Sequence, residues 1–432
     1  MGLGLGAVAG AVILVGCDNL LEVDNPNRIL DDDLRDPAAA PALANGALSR
    51  LSEAYGFIQR AQAPVSDEFT WIGSWDATRE LYQGFPGNPQ NEDIDIAFNN
   101  AGSARWMVDE AITRIEGFHE SGTLGDVRTL IRTLVYGGAM HTLIGDTFEE
   151  FAYSDRTESG PPIAPEQMGQ VYDRAVGYLD RAVALSREHG QPEWERTALA
   201  LRARTHFGRA VKEKLTPAGV VPTDPLVNSA AAVADARAFL ATGASPDWQF
   251  GVNYSGQTIQ NPFGFWANNR LEVRIADEYI VPDSEGRRVA SIRMHDPIDD
   301  IPDPALAHNV MPFAEGGLYP SMTLASWREM HLILAEAELA GGNEGQAREH
   351  INAVRAVHDL TPFTGQIPTL DMLQHSRRVN LFLQARRLAD QYRFGVRSPD
   401  WLDGSHAVQR PGTFFPIAET ERLSNCHIAG GC

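Results

Sequence analysis

The feature that most constrains this fold is a helical spacing of apolar residues, which recurs along most of the chain. One example places Leu48, Leu51, Tyr55 and Ile58 three or four positions apart. Such a spacing puts apolar side chains on one face of a helix, which must then pack against another element. Hydrophobic residues make up 43% of the 432 positions, enough for a large core. We therefore predict a mainly α-helical protein.

Several of the predicted helices look paired. The segment LILAEAELAGGNEGQAREHINAVRAV, residues 332–357, contains an apolar helix, a Gly-Gly-Asn turn, and a second helix with Ala347, Ile351 and Val354 on one face. This arrangement resembles a tetratricopeptide hairpin, in which two helices bury their apolar faces against each other. Because the chain has no strict period of about 34 residues, we expect irregular helix pairs within one globular domain.

A late arginine-rich segment is predicted to be a further helix. Its apolar positions recur with helical spacing at Leu381, Ala385, Leu388 and Tyr392. Its opposite face carries four arginines, which are Arg378, Arg386, Arg387 and Arg393. Since arginine usually forms fixed, bidentate pairs with carboxylates, we expect acidic partners for these side chains.

The net charge limits the partners of the chain. The sequence has 57 acidic and 36 basic residues, which gives a formal net charge of −21 at pH 7. Such a surface repels nucleic-acid phosphates and anionic lipid head groups. We therefore expect no nucleic-acid partner, and we expect any membrane contact to come from something other than a basic patch.

The first residues have the composition of an export signal. Gly2 to Val15 contain only Gly, Ala, Val, Leu and Ile. This run is shorter than the roughly 20 apolar residues that span a bilayer, and it matches the roughly 7–15 residues of a signal-peptide core. It stops at Cys17, and the pattern of residues alone leaves a free thiol, a disulfide or a metal ligand open for that cysteine.

The sequence LVGC at residues 14–17 resembles a bacterial lipobox. The resemblance implies cleavage before Cys17 and attachment of lipid to its thiol, where several acyl chains together form a stable membrane anchor. The acidic segment that follows, Asp18 to Pro37, is rich in Asn and Asp and is interpreted as an extended tether. We predict a signal peptide at residues 1–16, a lipidated tether at 17–37 and a single helical domain at 38–432.

Four segments together resemble the SusD/RagB-type outer-membrane lipoproteins. They are CDNLLEVDNPN (residues 17–27), SWREMHLILAEAELAGGN (326–343), RRVNLFLQARRLADQYRFG (377–395) and TFFPIAETERLSN (413–425). In order, they resemble the lipidated start, the helix before a tetratricopeptide turn, the late arginine-rich helix, and the closing strand and tail. Because they span both ends of the chain in that order, the resemblance covers essentially its whole length.

The resemblance implies both a fold and a function. The expected fold is mainly α, with irregular tetratricopeptide-like helix pairs, few short strands and a loop-rich binding face. Proteins of this type lie on the outer membrane, facing outside, as the lid of a TonB-dependent SusC-like transporter. They capture oligosaccharides, or sometimes peptides, and are not enzymes. We therefore expect a glycan or another oligomeric nutrient as the ligand, no cofactor and no bound metal.

Two long stretches rich in aromatic residues are the candidate ligand-binding loops. Within Phe69 to Asn100, the candidates are Trp71, Trp75, Asp76, Arg79 and Tyr82. Within Pro246 to Asn269, they are Trp248, Tyr254 and Trp266. Aromatic rings cover the apolar faces of sugars, and polar side chains bind the surrounding hydroxyls. The alternative for each aromatic residue is a structural role that pins its loop to the body of the protein.

Two other functions stay open from the sequence. A tetratricopeptide-type scaffold that binds protein or peptide segments predicts an apolar concave groove and loop tryptophans buried inward. A glycoside hydrolase needs two carboxylates across the scissile bond, and Asp67 and Glu68, near the tryptophans, are the most suggestive pair. Oxygen ligands for calcium are offered by Asp93 and Asp95, or by Asp296, Asp299, Asp300 and Asp303, although an acidic loop in water is the ordinary interpretation.

The C-terminal cysteines are the remaining feature. Cys426 and Cys432 flank the segment HIAGG, whose glycines let the chain curl. An exported protein meets an oxidising environment, so we predict a disulfide between these two cysteines. It closes a short loop and is expected to stabilise the whole fold only slightly.

Overall fold

The computed structural model describes residues 33–155, 157–314 and 316–431, most of which are helical. The helices are α1 (Ala40–Val65), α2 (Asp76–Tyr82), α3 (Glu92–Glu120), α4 (Val127–Thr147), α5 (Gly169–Glu188), α6 (Pro192–Lys214), α7 (Ala230–Ala241), α8 (Pro262–Asn268), α9 (Pro304–Ala314), α10 (Trp327–Ala340), α11 (Glu344–Ala356), α12 (Thr369–Asn380), α13 (Arg387–Phe394), α14 (His406–Gln409), α15 (Glu419–Ser424) and α16 (Cys426–Ala429). The strands are β1 (Phe69–Trp71), β2 (Phe151–Ala152), β3 (Pro162–Ile163), β4 (Gln249–Val252), β5 (Val273–Ile275), β6 (Ile280–Pro282), β7 (Val289–Ile292) and β8 (Met322–Ser326). The prediction of a mainly α fold with few short strands is confirmed.

Helices that follow one another in the chain pack against each other. α1 lies against α3 and α4, and α4 to α7 form a series in which each helix contacts the next. α10 and α11 also contact each other, across the Gly-Gly-Asn turn at residues 341–343. The predicted irregular helix pairs are therefore present in the structure.

Polar side chains mark where several of these helices begin. Asn91 accepts hydrogen bonds from the backbone N–H groups of Asp93 and Ile94 at the start of α3. Ser326 accepts one from the N–H of Glu329 at the start of α10. These bonds satisfy N–H groups that have no partner within the first turn of a helix.

The strands fasten loops to the helical body. Within the described residues they form four antiparallel pairs, which are β1 with β5, β2 with β3, β4 with β8 and β6 with β7. The β1–β5 pair places Phe69 opposite Ile275 and Trp71 opposite Val273. It therefore joins the first aromatic stretch to the chain that directly follows the second one.

Both aromatic stretches contain more regular structure than their composition indicated. Phe69 to Asn100 includes α2 and the first turns of α3, and Pro246 to Asn269 includes β4 and α8. α2 and α8 have only seven residues each, too short to show a clear periodic pattern. The candidate loops are therefore short helices and turns held by strands.

The arginine-rich segment predicted as one helix is in fact two. α12 ends at Asn380 and α13 begins at Arg387. Between them, Leu383 (φ 57°) and Ala385 (φ 60°) adopt the left-handed conformation, which interrupts a right-handed helix.

Buried side chains from distant parts of the chain cause this break. The Glu68 carboxylate accepts a hydrogen bond from the Leu383 N–H at 2.6 Å, and the Gln59 amide donates to the Leu383 carbonyl at 3.1 Å. These partners lie 315 and 324 positions away in the sequence. The single-helix prediction was wrong because it used only local spacing.

The arginines of this region form the fixed pairs expected of them. Arg387 bonds both oxygens of Asp67, at 3.0 and 2.8 Å. Arg393 is fully buried and contacts both Glu336, at 3.0 Å, and Asp390, at 2.9 Å. Because an unpaired buried charge is costly, these pairs hold α13 in one position against α10 and the residues after α1.

The predicted membrane anchor cannot be placed in this fold. Cys17, the predicted signal peptide and most of the predicted tether lie outside the described residues. Among the helices of the described part, none is long and apolar enough to cross a membrane.

Candidate functional site

The turn between β1 and α2 carries Trp75, and Glu272 determines its conformation. The Glu272 carboxylate accepts hydrogen bonds from the N–H groups of Ser74 at 2.7 Å and Trp75 at 2.9 Å. The Glu272 carbonyl accepts two more, from Ile72 and Gly73. A side chain at Gly73 would meet the Glu272 Cα at 2.6 Å, so this close approach requires glycine.

Helix α8 carries Phe265 and Trp266. Its start is capped by Asn261, whose side-chain oxygen accepts the Gly264 N–H at 2.9 Å while its amide donates to the Pro320 carbonyl at 2.8 Å. Fixing both ends of this buried amide sets the direction in which α8 leaves the preceding loop.

A glycine in α1 lets α8 approach that helix closely. A Cβ added at Gly56 would lie 2.5 Å from the Cδ of Pro262, the first residue of α8. Real Cβ atoms do not approach other heavy atoms so closely, so only glycine fits at this position. The contact places Trp266 beside the α1 face that carries Arg60.

Trp75, Trp266 and Arg60 form the centre of the candidate site. The two indole rings meet edge to face, with centroids 5.8 Å apart and an interplanar angle of 89°. The Arg60 guanidinium lies 3.5 Å from the centre of the Trp266 ring and 5.7 Å from that of Trp75. A cation above an aromatic face is attracted to it, which fixes all three side chains together.

Asp93 holds Arg60 in this position from below. Its carboxylate lies 2.6 Å from the Arg60 guanidinium and also accepts a hydrogen bond from the Thr78 hydroxyl. Burial raises the pKa of the Asp93 carboxyl above its ordinary range, and the charge of Arg60 opposes that rise. The pair joins α1 to the start of α3 underneath the two tryptophans.

These side chains border a cavity of about 610 Å³. The lining residues are Ser49, Glu53, Phe57, Arg60, Trp75, Glu92, Ile96, Thr258, Ile259, Gln260, Asn261, Pro262, Phe265, Trp266 and Arg270. Phe265 is 43% exposed, whereas Trp266 is only 5% exposed. The cavity therefore offers an open aromatic ring among acidic, basic and amide side chains, a combination suited to a ligand with both apolar faces and hydroxyl groups.

Of the eight predicted ligand-binding residues, Trp75 and Trp266 line this cavity. The remaining candidates of the first stretch are not among its lining residues. Trp71 faces the guanidinium of Arg79 at 5.6 Å, and Arg79 forms an exposed ion pair with Asp76 at 3.0 Å. Tyr82 donates a hydrogen bond to Asp400 at 2.5 Å.

The remaining members of the second stretch face inward. The Trp248 ring packs against Phe239, with centroids 4.6 Å apart. Tyr254 is buried and donates its hydroxyl hydrogen to the Ser52 carbonyl at 2.7 Å. These two positions match the alternative in which loop aromatics pin the loop to the body.

Several cavity residues were absent from the sequence prediction. Glu53, Phe57 and Arg60 follow one another along one face of α1 with helical spacing, and Arg270 follows α8. The spacing in α1 was visible, but polar residues on a helix face ordinarily indicate contact with water. Nothing in the sequence showed that α8 would lie over that face.

Asp67 and Glu68, the carboxylate pair considered for a hydrolase, form hydrogen bonds within the protein. Asp67 accepts hydrogen bonds from Arg387, Tyr279 and Gln391, and neither Asp67 nor Glu68 lines the cavity. Burial raises the pKa of the Glu68 carboxyl to about 7. Both carboxylates are buried, which places them away from any glycosidic bond in the cavity.

Asp296, Asp303 and His375 lie close enough together to hold a metal ion. Their ligand atoms already have protein partners. Asp296 accepts hydrogen bonds from the two terminal nitrogens of Arg355, at 2.5 and 3.0 Å. Asp303 contacts His375 at 2.8 Å and accepts the Ala305 N–H at the start of α9. The arrangement serves to tie α9, α11 and α12 together.

Only one of the two cysteines in the predicted C-terminal disulfide lies among the described residues. Cys426 is disulfide-bonded. Its predicted partner, Cys432, lies outside the described residues, so the pairing of these two cysteines stays a prediction.

Several solved structures are similar to this fold, whereas no family model and no curated protein matches the chain. A SusD superfamily protein from Parabacteroides distasonis is 12% identical, with 93% of this chain and 98% of that one covered and a TM-score of 0.60. One from Bacteroides thetaiotaomicron is 14% identical over 91% and 98% of the two chains, with a TM-score of 0.59. The surface glycan-binding protein A from Bacteroides uniformis is 12% identical over 90% and 98%, with a TM-score of 0.56.

These likenesses extend over nearly the whole of both chains, so they concern the complete architecture and not one helix pair. Identities of 12% to 14% support a statement about the fold alone. The resemblance noted in the sequence is thus confirmed at the level of structure: the chain has the fold of the SusD superfamily proteins.

Proposed function

We propose that this chain is a non-enzymatic glycan-binding protein that uses the cavity around Trp75, Trp266 and Phe265. The observation that carries the proposal is the convergence of four aromatic side chains, Phe57, Trp75, Phe265 and Trp266, from three segments of the chain on one cavity of about 610 Å³. Two proteins with similar folds support it, since one is described as a SusD-like carbohydrate binding protein and the other as a surface glycan-binding protein.

The chemistry of the cavity favours a sugar ligand. Sugar rings present apolar C–H faces surrounded by hydroxyl groups, and the exposed ring of Phe265 can cover one such face. Glu92, Gln260 and Arg270 line the same cavity and can accept hydrogen bonds from hydroxyls or donate to them. A peptide could use the same groups, so it is the competing ligand class.

We further propose that Cys17 carries a lipid that holds the protein at the outer membrane, facing outside, where it delivers its ligand to a SusC-like TonB-dependent transporter. The lipobox at residues 14–17 supports the anchor, and the fold supports the partner. Metabolic labelling with a fatty acid should mark the wild-type protein and fail to mark Cys17→Ser. Equal labelling of both proteins would contradict the anchor without affecting the glycan proposal.

Removing the exposed aromatic ring is the sharpest mutational test of the cavity. Phe265→Ala should lose retardation in a native gel that contains the polysaccharide that retards the wild-type protein, because the apolar contact with the sugar face is gone. We expect affinity to fall about tenfold or more, the equivalent of roughly 1.4 kcal/mol. The ring is 43% exposed, so the thermal stability should change little.

Leu402→Ala is the matched control, because Leu402 is also an exposed apolar residue, at 48%, and does not line the cavity. It should migrate like the wild type. Equal retardation of Phe265→Ala and the wild type would reject the cavity as the site.

Incubation of the wild-type protein with the same polysaccharide should release no new reducing ends. Steady formation of such products would instead support the hydrolase.

The scaffold function remains the second candidate, favoured by one observation. Trp248 and Tyr254 are packed inward, as that hypothesis expects. It predicts binding of protein segments by a concave helical surface and no effect of Phe265→Ala. Retention of peptides, but of no polysaccharide, by the wild-type protein would favour it.

A further inference from the structure

A second cavity, of about 460 Å³, lies beside the first, between α1, α3 and the loop after β2. Its lining includes Arg50 from α1, Asn99, Ser103 and Trp106 from α3, and Ser154 from the loop. The Trp106 ring is half-buried and Ser103 is exposed. The composition repeats that of the first cavity, with an aromatic ring among hydroxyl, amide and charged groups.

The two cavities are neighbours along the same pair of helices. Ser49 and Glu53 line the first cavity, and Arg50 lines the second. On α3, Ile96 lines the first cavity and Asn99, one turn later, lines the second. The stretch of α1 from Arg50 to the first cavity's Arg60 covers about 15 Å at 1.5 Å per residue.

The two helices run in opposite directions where they border the cavities. Arg60, near the end of α1, pairs with Asp93 at the start of α3. Arg50, ten residues earlier in α1, lines the second cavity together with Ser103 and Trp106, which lie later in α3. On α3 the lining of the second cavity follows that of the first, and on α1 Ser49 of the first cavity is next to Arg50 of the second, so the two cavities adjoin.

An exposed ion pair on α1 joins the linings of the two cavities, since Glu53 lines the first and Arg50 lines the second. Arg50 and Glu53 contact each other at 2.8 Å, and their side chains are 47% and 38% exposed. A pair in contact with water contributes little to stability. Its two side chains can therefore turn toward a ligand that crosses between the cavities and bind its hydroxyl groups.

We propose that the second cavity is a further subsite of one groove, and that the groove binds an extended oligosaccharide chain long enough to occupy both cavities. This inference rests on the proposed glycan-binding function. It adds that affinity depends on chain length, with Phe265 and Trp75 binding one part of the chain and Trp106 binding the other.

Calorimetric titration with oligosaccharides of increasing length tests this inference. The series is prepared from the polysaccharide that retards the wild-type protein in a gel. For the wild type, affinity should rise by about tenfold between chains that fill one cavity and chains that reach both. Trp106→Ala should remove this rise, while short chains bind within about twofold of wild type.

A second variant guards against a folding defect in Trp106→Ala. Ser103 is exposed, so Ser103→Arg adds bulk to the second cavity and removes no core contact. It should weaken the binding of long chains only, with an unchanged circular dichroism melting curve. Phe265→Ala should weaken the binding of oligosaccharides of every length, because both short and long chains use the first cavity.

The outcomes separate the two proposals. If Phe265→Ala weakens binding but Trp106→Ala and Ser103→Arg bind long chains like the wild type, the second subsite is wrong and the glycan-binding proposal stands. Equal loss for short and long chains in Trp106→Ala and Ser103→Arg would also overturn the second subsite. If the wild type binds no oligosaccharide, both proposals fail.

Discussion

Glu272 shows how much of this site depends on single residues that sequence patterns do not single out. Its carboxylate and carbonyl receive the N–H groups of residues 72–75 and thereby place Trp75 over the cavity. Trp75 and Trp266 could be predicted because aromatic residues in long polar stretches are conspicuous. Arg60 could not be predicted, because its place in the site depends on the Trp266 ring, which lies 3.5 Å away and belongs to a distant segment.

Glu68 gives a residue-scale prediction about pH. Burial raises its pKa to about 7 in the folded protein, while its pKa in the unfolded chain is about 4.3. Between these values the folded protein holds a proton that the unfolded chain has lost. The contribution of Glu68 to stability is therefore complete below pH of about 4.3 and is lost as the pH rises to about 7, by at most about 4 kcal/mol.

Glu68→Gln cannot ionise and keeps an oxygen that can accept the Leu383 N–H. Urea unfolding at a series of pH values should show a smaller loss of stability between pH 5 and pH 8 in this variant than in the wild type, by about 2–3 kcal/mol. Glu166→Gln, at an exposed position, is the control and should follow the wild-type curve. The same slope in all three proteins would contradict the assignment to Glu68.

Among the elements, α1 has the widest role, because it contacts α3, α4 and α8 and lines both cavities. Its helical character was clear from the apolar spacing. The sequence did not indicate that the polar face of α1 lines a cavity, because this depends on α8. That helix has seven residues and no detectable period of its own. The break between α12 and α13 has the same origin, since the groups that stabilise it come from a distant part of the chain.

Gly56 provides an element-scale prediction about the contact between α1 and α8. In Gly56→Ala the new Cβ would lie 2.5 Å from Pro262, so α8 must move away from α1 and carry Phe265 and Trp266 with it. We expect a loss of about 1–3 kcal/mol in unfolding free energy and weaker glycan binding. Thermal unfolding and gel retardation measure the two effects.

The same helix offers a control at Gly46, where an added Cβ meets nothing within 4 Å. Gly46→Ala should leave binding unchanged and raise stability by about 0.5–1 kcal/mol, because alanine favours the helix. Similar behaviour of the two variants would show that the α1–α8 contact does not position the site.

At the scale of the whole molecule, the order of helical segments and the four resembling segments were enough to predict the architecture. Solved structures with 12% to 14% identity share it over nearly the full chain. Such low identity still preserves the fold because many different apolar residues can fill a core of the same pattern. The position of the site was less predictable, since it requires β1, β5 and α8 to meet through contacts between distant residues.

The crystal structure of the protein with a bound oligosaccharide, chosen for its retention of the wild type in a gel, tests the central claim most directly. The account predicts sugar density in the cavity between α1 and α8, with a sugar ring against Phe265 and its hydroxyls within hydrogen-bonding distance of Arg270, Gln260 or Glu92. Density for the sugar at another surface, with this cavity empty, would contradict it.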